Sequence, residues 1–268
     1  MLTNLGYFAA VPYEKRPVLA RLRYWQLYRV WCDSMHGMCI GTTPLACGNV
    51  IAWLVRNSAG GTQEQRLHAL YVRYRKWCHA RRISDYTDAW TKDSLSWNDH
   101  ISLKSKAAAM KRVVRFLLDV VLELPQDSLE AKLVVGVTWG IAEYYRIIMT
   151  SGRYLPDEVI DALDTALTTA FLSYNALAAQ EHAAGGFHAW HVVSKFHMNL
   201  HLVRDFVRNT RVNPRFTYCY KDEDFMRVVK SLAIHSHPAT LPQRVLERWL
   251  LCICVTGWRP LTKLAEVE

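Results

Sequence analysis

The chain has 268 residues, with 33 Lys and Arg against 24 Asp and Glu, a formal charge of +9 and a pI near 9.2. With 51% hydrophobic and 21% charged residues it falls outside the disordered and low-complexity classes. A chain of this length buries a substantial core, and the positive balance favours polyanionic partners such as nucleic acid or an anionic membrane.

The opening MLTNLGYFAAVPYEKR lacks the basic flank and long apolar run of a signal peptide. The apolar stretches Val134–Met149 and Val245–Trp258 are interrupted by Glu143 and Arg146 or by Glu247 and Arg248, and neither supplies the ~20 residues of a membrane span. The seven cysteines, Cys32, Cys39, Cys47, Cys78, Cys219, Cys252 and Cys254, form no CxxC pair, so their spacing suggests neither a disulfide framework nor a zinc finger. The expectation is an intracellular protein, a nuclear location included, with reduced thiols and no membrane partner.

In chain order, the aromatic-rich stretch Arg23–Cys32 reads as a strand. Thr62–Arg82 follows Gly60-Gly61 with Thr62 as its N-cap, and Leu67, Leu70, Tyr71, Tyr74 and Trp77 recur at helical spacing. Lys104–Leu124 continues that period and stops at Pro125. Asp127 caps a helix over Ser128–Met149. A further helix opens at Pro156 with Asp157 and Glu158 in its first turn, and runs to about Gln180 before Gly185-Gly186. Phe187–Asn209 follows, then a weaker strand signal at Phe216–Tyr220, then helices over Lys221–His235 and Leu241–Val255. The expected fold is mainly α, a single multi-helix domain over residues 1–268, with a helical body at 46–210 and C-terminal helices at 214–258.

Three local stretches carry the positive charge. The first holds Arg66, Arg73, Arg75, Lys76, Arg81 and Arg82, interleaved with Tyr71, Tyr74 and Trp77. Arginines neutralise phosphates while aromatic faces stack on bases, so the pattern suits nucleic acid; it equally suits an amphipathic helix that buries its rings and exposes a solvated basic face. Lys104, Lys106, Lys111, Arg112 and Arg115 form the second stretch, and Arg204, Arg208, Arg211 and Arg215 the third.

Seven of the eleven histidines lie between His182 and His237. At 100° per residue His197 and His201 share a helix face with Arg204 and Arg208, while His188 and His191 lie roughly opposite. One helix therefore cannot bring four histidines to one ion. The pair His197/His201 could supply two ligands, contact a phosphate or form a polar network. Among the acids, Asp33 ends the strand-like stretch, where a carboxylate would be held rigidly, and Asp222, Glu223 and Asp224 open a predicted helix. Acids in a first helical turn also serve ordinary dipole and capping chemistry.

At these residues the sequence resembles a known family. Asp33-Ser34-Met35-His36-Gly37, followed by Cys39-Ile40-Gly41 and a helix, resembles the D-x-M-H-x-x-x-x-G stretch of CACTA-type DDE transposases. Lys195-Phe196-His197-Met198-Asn199-Leu200-His201-Leu202-Val203-Arg204-Asp205 is similar to the K-x-H-x-x-x-H-L segment that the family places before its final acidic residue. Asp222-Glu223-Asp224-Phe225, trailed by Ile234-His235-Ser236-His237, resembles its glutamate–aromatic helix and H-S motif.

The resemblance implies the C-terminal part of such a transposase: a short RNase H-like remnant over 1–45, then the family's helical insertion and final acidic helix. Asp33 would match the second catalytic aspartate and Glu223 the glutamate, with Asp222 or Asp224 in its place if the register slips. These acids would hold Mg²⁺ or Mn²⁺ for phosphodiester attack, and His197, His201 and Arg204 would flank the DNA backbone. The 32 residues before Asp33 contain no aspartate to serve as the first. The expectation is a piece of a larger protein or a shortened descendant, with catalysis by this chain alone absent or very weak. Three readings follow: a transposase-derived helical protein binding nucleic acid through basic helices, an active metal-dependent DDE nuclease or transposase fragment, and a structural or assembly subunit meeting partner proteins or its own copies through aromatic-rich surfaces.

Overall fold

The computed structural model describes residues 11–15, 33–84, 87–186, 189–234 and 236–256. The strand-like stretch Arg23–Cys32, His188 and His235 lie outside them. The described residues are mainly helical and contain no strand, only an isolated antiparallel bridge between Tyr154 and Val212. By internal packing the chain divides into two compact units, Met1–Thr217 and Tyr218–Glu268.

The first unit is built around α1, Met35–Asn57, which opens with π winding over Met35–Thr42 and continues as regular helix over Thr43–Asn57. Every residue from Thr43 to Val55 is buried. A helix apolar on all sides shows no amphipathic period, which is why periodicity passes over it, and burial in a core is the place such a helix can occupy. No Lys, Arg, Asp or Glu occurs between Asp33 and Arg56, so the two apolar stretches singled out from the sequence are not the relevant ones. By length and composition α1 is able to cross a membrane, yet 89% of its most apolar window is buried inside the body.

Around α1 pack α2 (Gln63–Ala80), α3 (Ala107–Leu122) and α4 (Leu129–Thr150). The α2 start carries a reciprocal cap: the Gln65 amide donates to Thr62 Oγ1 at 3.3 Å and the Thr62 amide to Gln65 Oε1 at 2.8 Å. At α4 the capping acceptor is Ser128, whose Oγ takes the Ala131 amide at 3.0 Å, rather than Asp127. Antiparallel to α4 runs α5, Asp157–Ala183. Their backbones approach closely at Gly140, where a Cβ would collide with the Ala166 carbonyl and stand 2.8 Å from the Ala170 methyl.

The last helix of this unit, α6, covers Ser194–His201, passes through π winding at Leu202–Val207 and ends as Arg208–Thr210. It starts later than Phe187 because Trp190 takes a left-handed φ of 55°, which breaks the helical path. The predicted strand at Phe216–Tyr220 is overturned: Pro214–Thr217 is a 3₁₀ turn and Tyr220 already begins the next helix. Pro214 presets a helical φ, and Asn213 Oδ1 accepts the Arg215 amide at 3.1 Å, so the chain turns where aromatic content alone suggested extension.

Buried polar groups tie these elements together. Asn49 on α1 donates to the carbonyls of Leu45 (2.8 Å) and Ile101 (3.1 Å) and to Tyr174 Oη (3.3 Å), and its Oδ1 accepts the Trp190 amide at 2.7 Å. Asn213 donates to the carbonyls of Ile148 and Gly152 at 2.9 and 3.0 Å.

The second unit is a pair of helices, α7 (Tyr220–Ala233) and α8 (Leu241–Thr256), joined through a 3₁₀ turn at Pro238–Thr240. The Phe225 and Trp249 rings meet edge to face at 4.9 Å, and Arg248 donates to Ser236 Oγ at 3.1 Å.

Candidate functional site

The aromatic residues of α2 do not present their faces for stacking. Tyr74 is fully buried and packs against Trp77, Trp90 and Phe116 at centroid distances of 6.4, 5.2 and 5.3 Å. Tyr71 donates its hydroxyl to the Thr87 carbonyl at 2.9 Å, and Trp77 Nε1 donates to Asp119 at 2.8 Å. The rings are the mortar between α2 and α3. That burial decides which side of α2 faces outward, and the outward side is basic.

On that side Arg73 pairs with Glu123, Arg81 with Asp119 at 3.1 Å, and Arg115 with Asp119 at 3.6 Å. Arg81 also lies 4.5 Å above the Trp77 ring, a cation–π contact. Arg66 and Arg112 donate to the carbonyls of Ser58 and Ser84 at 2.7 and 2.8 Å. Arg75, Lys76 and Arg82 are exposed, as are Lys104 and Lys106 just before α3, while Lys111 is half-buried. Across α2, its closing turn Arg81-Arg82, and α3 through Glu123, nine Lys and Arg stand against three carboxylates, Glu64, Asp119 and Glu123. Glu64 is further engaged by Lys92, whose ammonium holds that carboxyl below its ordinary value. The Arg73–Glu123 and Arg81–Asp119 ion pairs thus join the two helices that carry the first two basic stretches, and cations outnumber carboxylates along both.

The third stretch is organised differently. Asp157, Asp161 and Asp164 on α5 stand four and three residues apart and receive Arg211, Arg208 and Arg204 at 2.7, 2.8 and 2.8 Å. Arg204 donates in addition to Thr168 Oγ1 at 2.8 Å. These antiparallel ion pairs clamp α6 onto α5. Arg208 and Arg204 are thus already matched by carboxylates, and Arg215 donates to the Met149 carbonyl at 3.0 Å.

Two of the stretches that carry the family resemblance pack directly on each other. Asn199, 2% exposed, donates from α6 to the Gly37 carbonyl at 3.1 Å and to Thr42 Oγ1 at 3.3 Å. A side chain at Gly37 would collide with Asn199 Oδ1, and one at Gly41 would stand 2.7 Å from the Lys195 Cδ. Glycine at both positions is what lets α6 sit against the π-wound start of α1. Asp33 accepts the amides of Met35 and His36 at 2.9 and 3.0 Å and meets the His36 imidazole, so its carboxylate caps α1. Ser34 and Tyr144 share a buried hydrogen bond at 2.7 Å, and burial pushes the Tyr144 hydroxyl well above its usual range. Glu223 is exposed in the first turn of α7, in the second unit.

His197 and His201 on α6 place their Nε2 atoms 2.9 Å apart, and Asp205 brings a carboxylate oxygen to 2.6 Å from His201 Nδ1. The motif segment ends at Asp205, to which the sequence assigned no role; its i+4 spacing from His201 was the available signal. Beside them a cavity of about 490 Å³ opens between α5 and α6, with Phe171, Leu172, Val192 and Phe196 on its apolar wall and His197 and Arg204 contributing polar groups. No protein-family model, curated protein or solved structure matches the chain.

Proposed function

We propose that this is a transposase-derived helical protein that binds nucleic acid through the basic surface of α2 and α3. The observation that carries the reading is the excess of nine cations over three carboxylates along α2, its closing turn and α3, helices whose aromatic rings are spent on packing. Recognition would then run through phosphates, with no base stacking from Tyr71, Tyr74 or Trp77. Exposed ion pairs such as Arg73–Glu123 contribute only about 0–1 kcal/mol, so an arginine can exchange its carboxylate for a phosphate at little cost. The transposase descent rests on the motif resemblance, and the packing of Asn199 and Lys195 against Gly37 and Gly41 supports it by joining two of the motifs. The enzymatic alternative, with Asp33 and Glu223 holding Mg²⁺ or Mn²⁺, rests on the resemblance alone.

The test is a salt titration of binding to a fluorescent duplex of about 20 base pairs. If about five phosphates are neutralised, log K falls against log salt with a slope of about −4.5. Reversing two exposed cations in Lys76→Glu/Arg82→Glu flattens that slope by about 2 and weakens binding uniformly across sequences. Undetectable binding at low salt, or a slope unchanged by the double variant, rules the surface out.

A further inference from the structure

The histidine pair of α6 has a geometry that the basic surface does not explain. His197 and His201 project from one face, with perpendicular rings whose centroids are 4.3 Å apart. Asp205 accepts from His201 Nδ1, which places that proton on Nδ1 in the neutral ring and leaves a lone pair on Nε2. His197 Nε2–H then donates to that lone pair at 2.9 Å. Moving this one proton to His197 Nδ1 frees both Nε2 atoms, already side by side, for a shared ion. A carboxylate holding the far nitrogen of an imidazole is the usual support of a metal-ligating histidine, because it sets the tautomer and raises ligand basicity.

Metal–imidazole bonds are about 2.1 Å long, so two nitrogens 2.9 Å apart subtend about 90° at a shared ion. That angle belongs to adjacent positions of a tetragonal or octahedral ion rather than to a tetrahedron. The side chains of His201 and Asp205 are 54% and 36% exposed, so water can reach the pair and fill the remaining positions. The geometry points to a site for a divalent first-row transition ion of the Ni²⁺ or Cu²⁺ type, chelated by His197 and His201 with Asp205 as the positioning residue. Hard cations such as Mg²⁺, which take oxygen ligands, do not fit two imidazoles.

Isothermal titration of the full chain with Ni²⁺ in a non-coordinating buffer tests the site. One ion binds per chain; His197→Ala and His201→Ala each abolish that site, and Asp205→Asn weakens it 10–100-fold. His100→Ala, which removes a histidine stacked on His191 elsewhere in the unit, leaves the site intact. The electron paramagnetic resonance spectrum of the Cu²⁺ adduct shows coupling to two imidazole nitrogens, and to one after either alanine substitution. Far-ultraviolet circular dichroism confirms that the variants keep their helicity. Absence of stoichiometric Ni²⁺ binding, binding unchanged in the His197→Ala/His201→Ala protein, or equal competition by Mg²⁺ overturns the assignment and leaves the three residues as a hydrogen-bonded relay. None of these results depends on whether the chain binds nucleic acid.

Discussion

Replacing Asn49 by alanine probes the centre of the first unit. Asn49 is 1% exposed, and its amide joins α1, the segment ending at Ile101, Tyr174 of α5 and the turn at Trp190. Removing it leaves the Leu45 carbonyl within the helical ladder and the Tyr174 hydroxyl still donating to the His191 carbonyl at 3.1 Å. The Trp190 amide loses its Asn49 acceptor, and the Ile101 carbonyl loses its Asn49 donor. Each stranded buried group costs about 1–3 kcal/mol, so the expected loss is about 2–6 kcal/mol, with entry of a water into the vacated space favouring the lower half. Against a total of about 5–15 kcal/mol for a domain, that is a large fraction. Urea unfolding followed by circular dichroism reads the loss, and hydrogen exchange reads the Trp190 amide directly. A change below about 1 kcal/mol with the Trp190 amide still protected would refute the assignment of Asn49 as the knot between these segments.

Three further outcomes follow from the same geometry. Gly140→Val forces a branched side chain into the Ala166 carbonyl and Ala170, which separates α4 from α5 and lowers stability by about 1–3 kcal/mol or more, measured by denaturant midpoint. Asp119→Ala strips Trp77 Nε1 and two arginines of their shared acceptor; the protein becomes less stable by about 1–2 kcal/mol while its affinity for a DNA duplex rises, a pairing of opposite signs that a purely structural Asp119 would not give. Glu143 is held below the ordinary glutamate value of 4.5 chiefly by the hydrogen bond from Arg146, at 2.6 Å. A depressed carboxyl contributes stability above its unfolded value and loses it as pH falls below 4.5, so Glu143→Gln shows a shallower loss of stability in acid titration than the parent.

Helices with one buried face were open to sequence reading because their apolar residues return at spacings of three and four. The expected spans at 62–82, 104–124, 128–149, 156–180, 221–235 and 241–255 match α2, α3, α4, α5, α7 and α8 within a few residues at each end. Thr62 was legible as a cap for the same reason, since capping is a local contact between residues three apart. Periodicity did not show the central helix, which only the motif resemblance placed after Gly41, because Thr43–Val55 is buried on every side and a uniformly apolar run carries no phase.

The basic surface was half legible. Composition places the arginines and lysines on α2 and α3, but only packing decides that Tyr71, Tyr74 and Trp77 turn inward and that Asp119 serves three partners. The third basic stretch shows the limit most plainly: Arg204, Arg208 and Arg211 lie about forty to fifty residues from the aspartates they meet, a pairing no local spacing encodes. In the histidine pair the i, i+4 spacing was enough to bring His197 and His201 to one face, since a helix turn is local geometry. The 2.9 Å approach of their Nε2 atoms and the carboxylate of Asp205 behind His201 depend on side-chain rotamers, which spacing alone does not specify. Local periods and caps determined where the helices are; long-range packing decided which charges remain available at the surface and which side chains meet.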